Sequence, residues 1–354
     1  FDSILTIKDI KIQRGHRWIY CAGFNVDPSL RDTVRVDCEI EDIAYLASQG
    51  AKISILSHQG SYQKGTAIHL KFVAEYLSKR LQKSVQYFPE NHSEQAVRWA
   101  RSLNDGEVAL FGNTRFHQGE EEGDECLATQ FSRLGDFVAV GGFSKAHRVH
   151  ASNVKILSLL PGYAATNLLK ELKTLSAITL PFPGKSAVIL GGIKLEKIEK
   201  GLLLFKDIYD LVIPAGAVLN HILKEMGFHI GDSILCDQSE LASKITSGIV
   251  STVNRAPFLL PEEVIIAEKD SNCNPRKIAL CDGVPKGFAI VDFVVSEKME
   301  ESFLALSQLP VRLLIAGTPC LMKHGFRTSA DTFLRWLSRP KVISFMMGGA
   351  TLSD

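Results

Sequence analysis

Residues 53–60 read Ile53-Ser54-Ile55-Leu56-Ser57-His58-Gln59-Gly60. An apolar run ends in a small polar turn. An amphipathic stretch follows at 68–81, with Phe72, Val73, Tyr76, Leu77 and Leu81 at helical spacing. The order recurs along the chain. Apolar runs at 108–111, 137–140, 187–190, 211–213, 264–267 and 313–316 predict further strands. Runs that are apolar throughout suit strands covered on both faces. Strands alternating with helices predict an α/β fold with parallel sheets. At roughly 150 residues per domain, 354 residues predict two doubly wound parallel-sheet domains. Pro161-Gly162, a helical stretch from Asn167 to Leu175 and Pro181-Phe182-Pro183-Gly184 mark the join between them. The expected division is an N-terminal domain at 1–163, a connecting hinge helix and linker at 164–180 and a C-terminal domain at 181–354.

Composition excludes several functions. With 45 % hydrophobic and 22 % charged residues, the chain is not dominated by disorder. Forty Lys and Arg against 39 Asp and Glu leave a net charge of +1, so no global field draws in nucleic acid or an anionic membrane. No apolar run approaches the roughly 18 residues of a membrane span. The seven cysteines are scattered and form no CxxC pair. That argues against a disulfide framework or a zinc site and predicts an intracellular setting, cytoplasm or organelle. The first residue is Phe1, not Met, so a processed or partial chain is one reading. The charge run from Glu120 to Glu125 reads as a solvated loop.

In open α/β sheets, ligands bind beyond the carboxyl ends of the strands. Three of those ends carry cations: Ser57-His58-Gln59-Gly60, Gly112-Asn113-Thr114-Arg115-Phe116-His117, and Gly141-Gly142-Phe143-Ser144-Lys145-Ala146-His147-Arg148. Arg35 adds another. Taken singly, each reads as a structural or solvated residue. Together they predict an anion pocket, because Arg chelates carboxylate or phosphate with paired hydrogen bonds. His147 and His150 are three apart, but no third ligand accompanies them, and no metal is expected. The run ending at Leu190 leads into Gly191-Gly192-Ile193-Lys194. A phosphate loop at a helix start is one reading; a plain tight turn is the commoner one, since neither GxxxxGK[ST] nor GxGxxG is present.

These motifs fall in the order and spacing seen in phosphoglycerate kinases. Phe24-Asn25-Val26, Ser57-His58-Gln59-Gly60, Arg115-Phe116-His117, Ala146-His147-Arg148, the helix 167–175 and Gly191-Gly192-Ile193-Lys194 carry the resemblance. It implies two doubly wound domains joined by a hinge. 3-Phosphoglycerate would bind the first, through Asn25, His58, Arg115, His147 and Arg148. The nucleotide and its magnesium would bind the second, through Gly191, Gly192, Lys197 and Asp331. Arg35 and Lys194 would carry the transfer between them.

The chain also departs from that pattern. The resemblance implies Arg, Asp and Arg where Cys21, Gly23 and Ser61 stand. Each hydrogen bond to a charged group contributes about 1.5–3 kcal/mol. On the nucleotide side, Ile193 replaces a small residue and Pro214-Ala215-Gly216 replaces three glycines. Gly317-Thr318-Pro319 and His324 replace an Asn-Gly-Pro turn and a Glu. Ser329-Ala330-Asp331-Thr332 and Phe345-Met346-Met347-Gly348-Gly349 stand in for two glycine loops. Phosphoryl transfer depends on positioning and charge neutralisation. The expectation is therefore a pseudoenzyme with a degenerate nucleotide site and no cofactor, kept as a subunit or scaffold among other proteins of a larger complex. The alternative is an active, divergent kinase using Mg-ATP and Mg-ADP and a small phosphorylated metabolite.

Overall fold

The computed structural model describes the chain except residues 2, 237–242, 245, 249, 251–257 and 349–354. Two compact units result, Phe1–Ser176 and Ala177–Asp354. Helix α5 (Thr166–Thr179) crosses the division.

The first unit is built on six strands: β1 (Arg17–Cys21), β2 (Lys52–Leu56), β3 (Val85–Phe88), β4 (Val108–Phe111), β5 (Phe137–Val140) and β6 (Gly162–Ala164). Their order is β3-β4-β2-β1-β5-β6, and every pairing is parallel. All carboxyl ends therefore share one edge. Strand alternation splits the core. Trp18, Tyr20, Ile53 and Ile55 face one apolar cluster; Ile19, Cys21 and Leu56 face the other. Helices α1 (Ile40–Ser48), α2 (Lys71–Leu81), α3 (Glu94–Ser102) and α4 (Glu125–Ser132) cover the sheet. Helix α2 buries Val73, Ala74 and Leu77 and ends at Gln82 in the left-handed region, with Lys79 and Arg80 in its last turn, where cations complement the helix dipole. Ser93 and Asp124 cap α3 and α4 by accepting the amides of Ala96 (3.1 Å) and Leu127 (2.6 Å).

The second unit has two sheets. Strands β7 (Lys185–Leu190), β8 (Leu211–Pro214), β12 (Val311–Ala316) and β13 (Val342–Met347) are parallel, in the order β13-β12-β7-β8. Strands β9 (Glu263–Glu268), β10 (Arg276–Ala279) and β11 (Phe288–Phe293) are antiparallel, in the order β10-β9-β11. The run 264–267 thus lies outside the parallel sheet expected of it. Its link to β10 is too short for a parallel crossover, and Asn272 and Asn274 adopt positive φ in the turn. Helices α6 (Gly216–Glu225), α7 (Glu297–Leu306) and α8 (Thr328–Leu337) flank these sheets, and a helical segment, Lys197–Leu202 continued by Leu203–Ile208, follows the turn after β7. Phe303 stacks on Trp336 at 4.1 Å between ring centroids. Phe345, Met346 and Met347, read from the sequence as a degenerate loop, form the end of β13. Gly349 lies outside the described residues. Among the described residues no helix is long and apolar enough to cross a membrane.

Candidate functional site

The shared strand edge of the first unit gathers the turns after β1, β2, β4 and β5. Hydrogen bonds tie them together. Ser57 Oγ accepts the Phe24 amide at 2.9 Å and donates to Ala22 O at 3.2 Å. Asn25 Oδ1 accepts the Gly60 amide at 3.2 Å, and Arg35 Nη1 donates to Asn25 O at 3.3 Å. Asn113 Oδ1 accepts the Gln59 amide at 3.2 Å, and its Nδ2 donates to Gln59 O at 2.9 Å. Arg115 Nη1 donates to Gly60 O. Asn25, Arg35, His58 and Arg115 are therefore held on adjoining turns. His147 and Arg148 are exposed on the turn after β5. Arg148 is close enough to oppose protonation of His58.

His58 is 4 % exposed and its Nδ1 has no hydrogen-bond partner. Burial, then the charges of Lys145 and Arg115, hold its pKa well below the usual value. It is a neutral imidazole at pH 7, a donor and acceptor rather than a cation. Burial likewise lowers the pKa of Arg115, while Glu121 at 3.5 Å opposes the shift.

The acidic run corrects the sequence reading. Glu120 and Glu121 belong to a short helix, Gln118–Glu122, that turns inward. Glu120 is buried and accepts from Thr114 Oγ1 (3.1 Å), Ser152 Oγ (2.6 Å) and the Ser152 amide (3.0 Å). Glu121 pairs with Arg115 and accepts from Ser61 Oγ at 3.4 Å. The periodicity of a one-turn helix is too short to reveal which glutamate points inward.

At this edge two further buried charged residues, Glu39 and Lys145, stand beside the turns. Glu39 Oε1 accepts the Gly23 amide at 2.9 Å. A carboxylate therefore serves the turn where Gly23 has none. A Cβ at Gly23 would stand 2.7 Å from Gly142 Cα, so the glycine lets the turns after β1 and β5 touch. Lys145 is 1 % exposed and its Nζ has no hydrogen-bond partner; its charge acts on Glu39, Cys21 and His58.

In the second unit, the turns after β7, β8 and β12 meet at the carboxyl edge. The Gly192 amide donates to Thr318 O at 3.1 Å and the Gly216 amide to Pro319 O at 2.9 Å. A Cβ at Gly191 would lie 2.3 Å from Thr318 O. Glycine is required there by backbone packing between two turns. Lys194 is exposed beside this edge. Lys197 Nζ donates to Ala316 O at 3.2 Å. Burial, then the charge of Lys194, lowers its pKa. Two ammonium groups thus adjoin the glycine turns. A narrow pocket of about 40 Å³ opens against Gly192, Gly216, Pro319 and strand β11. Ile193 stands 62 % exposed among its lining residues.

Asp331 lies in the first turn of α8, exposed, with Arg327 at 3.3 Å. His324 ends a one-turn helix, with its Nδ1 3.3 Å from Asn272 Nδ2. Neither lines the pocket. Among the described residues no group of three or more His, Cys, Asp or Glu side chains is placed to hold a metal ion.

Two α/β units, each with a parallel sheet whose polar turns gather at the carboxyl edge, define the class of fold. A model of the family described as phosphoglycerate kinase matches residues 7–352. The phosphoglycerate kinase of Thermosipho africanus is 32 % identical over 295 residues, 81 % of this chain and 73 % of that protein. That of Fervidobacterium nodosum is 30 % identical over the same shares. The chain belongs to the phosphoglycerate kinase family. The structure of phosphoglycerate kinase from Coxiella burnetii superposes with a TM-score of 0.79 at 22 % identity, covering 99 % of this chain and 89 % of that one. That from Pyrococcus horikoshii gives 0.82 at 20 % identity, covering 99 % and 90 %. These likenesses establish the fold.

Proposed function

We propose that the protein transfers a phosphoryl group between 1,3-bisphosphoglycerate and ADP, and in reverse from ATP to 3-phosphoglycerate. The observation that carries this reading is the pair Lys194 and Lys197 beside the glycine turns, in a chain matched to the family over residues 7–352. In this reading Asn25, His58, Arg115, His147 and Arg148 orient the glycerate. Lys194 offsets charge on the moving phosphoryl group, and the exposed Arg35 does the same from the first unit. Magnesium enters as part of the nucleotide substrate, held mainly by phosphates and water. Such chemistry asks the protein for positioning and charge neutralisation. The test is a coupled assay with ATP and 3-phosphoglycerate. Lys194→Ala is expected to lower kcat by roughly 10- to 100-fold. No turnover by the unaltered protein, or turnover indifferent to Lys194, overturns the reading.

The Arg115–Glu121 pair, together with Cys21 and Ser61 at positions where the family resemblance implies arginines, favours a second reading. It is a non-catalytic subunit of a larger complex. That reading requires no turnover and co-purification of the native protein with fixed partners.

A further inference from the structure

Glu39 and Lys145 lie behind the turns after β1 and β5, each 1 % exposed. Glu39 Oε1 accepts the Gly23 amide at 2.9 Å, while Oε2 has no hydrogen-bond partner among the described residues. A Cβ on Gly23 would stand 3.5 Å from Oε1, and one on Gly141 would collide with Oε2. The carboxyl group therefore fills the room that side chains on these two turns would take. Lys145 Nζ also lacks a hydrogen-bond partner among the described residues. Its stem packs on Gly142, where a Cβ would lie 3.0 Å from Cε. Its charge reaches Cys21, His58 and His150. A buried ammonium without a partner is costly. Two anions can offset it: ionised Glu39, or a ligand on the edge formed by His58 and Arg115.

We infer that Lys145 and Glu39 link capture of an anion on this edge to uptake of a proton. Lys145 is a positioning residue that attracts the ligand from behind the turns, and Glu39 is its alternative counter-ion. An ionised Glu39 cancels the ammonium and repels the ligand; a protonated one leaves the ammonium to the ligand. By linkage, binding raises the proton affinity of Glu39, and lower pH tightens binding. This rests on the glycerate reading proposed above. Besides Lys145, the titratable groups facing Glu39 are Tyr20, Cys21 and Cys38. Burial raises Tyr20 well above its usual value, Cys21 to about 11 and Cys38 to about 12, so all three keep their protons at neutral pH. His58 and His150, both lowered by burial, are neutral there. Glu39, raised by burial to about 7, is the group that changes charge in that range.

The experiment is calorimetric titration of the full chain with 3-phosphoglycerate, in the unaltered protein and in Glu39→Gln. Comparing the two at one pH cancels the titration of the ligand's own phosphate. At about pH 6 they should bind alike; at about pH 8 the variant should bind roughly three- to tenfold tighter. Near pH 7.5, buffers of different ionisation enthalpy should show the unaltered protein taking up about half a proton more than the variant. Lys145→Met should weaken binding at about pH 6 by roughly tenfold, and Lys145→Arg should recover most of it. An affinity ratio that is the same at both pH values, with equal proton uptake, overturns the link and leaves glycerate binding standing. So does Lys145→Met binding as tightly as the unaltered protein. Absence of binding by the unaltered protein at millimolar ligand overturns both readings. If Glu39→Gln does not fold, proton uptake by Lys145→Met decides: it should fall by at least half, because Glu39 without the ammonium keeps its proton, and an unchanged uptake overturns the link.

Discussion

Glu121 places a negative charge against Arg115, the most deeply buried arginine of the first unit's edge. An incoming carboxylate or phosphate has to compete with it. Glu121→Gln removes the charge and keeps the shape, so affinity for 3-phosphoglycerate should rise by roughly three- to tenfold. Titration calorimetry checks this, and unchanged or weaker binding would mean Arg115 does not meet the ligand. Glu39 makes a prediction in pH. Burial raises its pKa from 4.5 to about 7, against the lowering effects of the Gly23 amide, Lys145 and Tyr20. The folded state therefore keeps a proton between pH 4.5 and 7 that the unfolded chain has released. The sign follows: this contribution is complete below pH 4.5 and is lost as pH rises through 7. Buried His58 acts oppositely, since its lowered pKa costs stability as pH falls below about 6.5. The difference between the unaltered protein and Glu39→Gln isolates the glutamate. As pH rises from about 4.5 to 8, the variant should gain on the order of 3 kcal/mol relative to the unaltered protein, read from denaturant midpoints. A difference independent of pH would show that Glu39 is charged in the fold.

At the scale of elements, Asp292 joins the end of β11 to the start of α8. Its carboxylate accepts the Thr328 amide at 2.7 Å, the Ser329 amide at 3.3 Å and Ser329 Oγ. A carboxylate at a helix N-terminus satisfies open amides and suits the dipole. Asp292→Ala should cost about 3 kcal/mol, seen as a lower urea midpoint; a loss under about 0.5 kcal/mol would show that water replaces the cap. Asp292 also shows why some elements were hidden in the sequence. A cap supplied from another strand leaves no local mark, so nothing near Thr328 announces the helix start. Strands β2, β4, β5, β7, β8 and β12 are legible because each carries a short run of mostly apolar residues with both faces buried. Strands β1, β3, β6, β10, β11 and β13 carry none of the runs read as strands in the sequence. Arg17-Trp18-Ile19-Tyr20-Cys21 mixes charge and aromatics, and β13 is an edge strand with Ile343 and Met346 exposed. The turns bearing His58, Arg115, Gly191 and Lys194 could be found by looking beyond each apolar run. Glu39 and Lys145 could not, because their places come from packing between segments distant in the chain.

For the molecule as a whole, each unit owns its core. The first has an apolar cluster on either face of its sheet, and the second has one of its own, from Ala187 to Trp336. The candidate glycerate site is built wholly from the first unit and the candidate nucleotide pocket wholly from the second. A ligand that binds only folded protein stabilises by RT ln(1 + [L]/Kd), about 2.7 kcal/mol at a hundredfold excess over Kd. That stabilisation should first appear in the unit that makes the contacts, because local opening spans a range of free energies. In amide hydrogen exchange, 3-phosphoglycerate should slow the turns at 22–26, 57–61 and 112–117. Mg-ADP should slow 191–197 and 316–321. Protection by each ligand in its own unit supports phosphoryl transfer between the two sites. Protection by 3-phosphoglycerate alone would point to an acceptor site kept without a donor, and the absence of protection by either would favour the subunit reading. With a net charge of +1, long-range attraction contributes little to capturing either anion, so raising salt to about 0.3 M should weaken both effects only modestly.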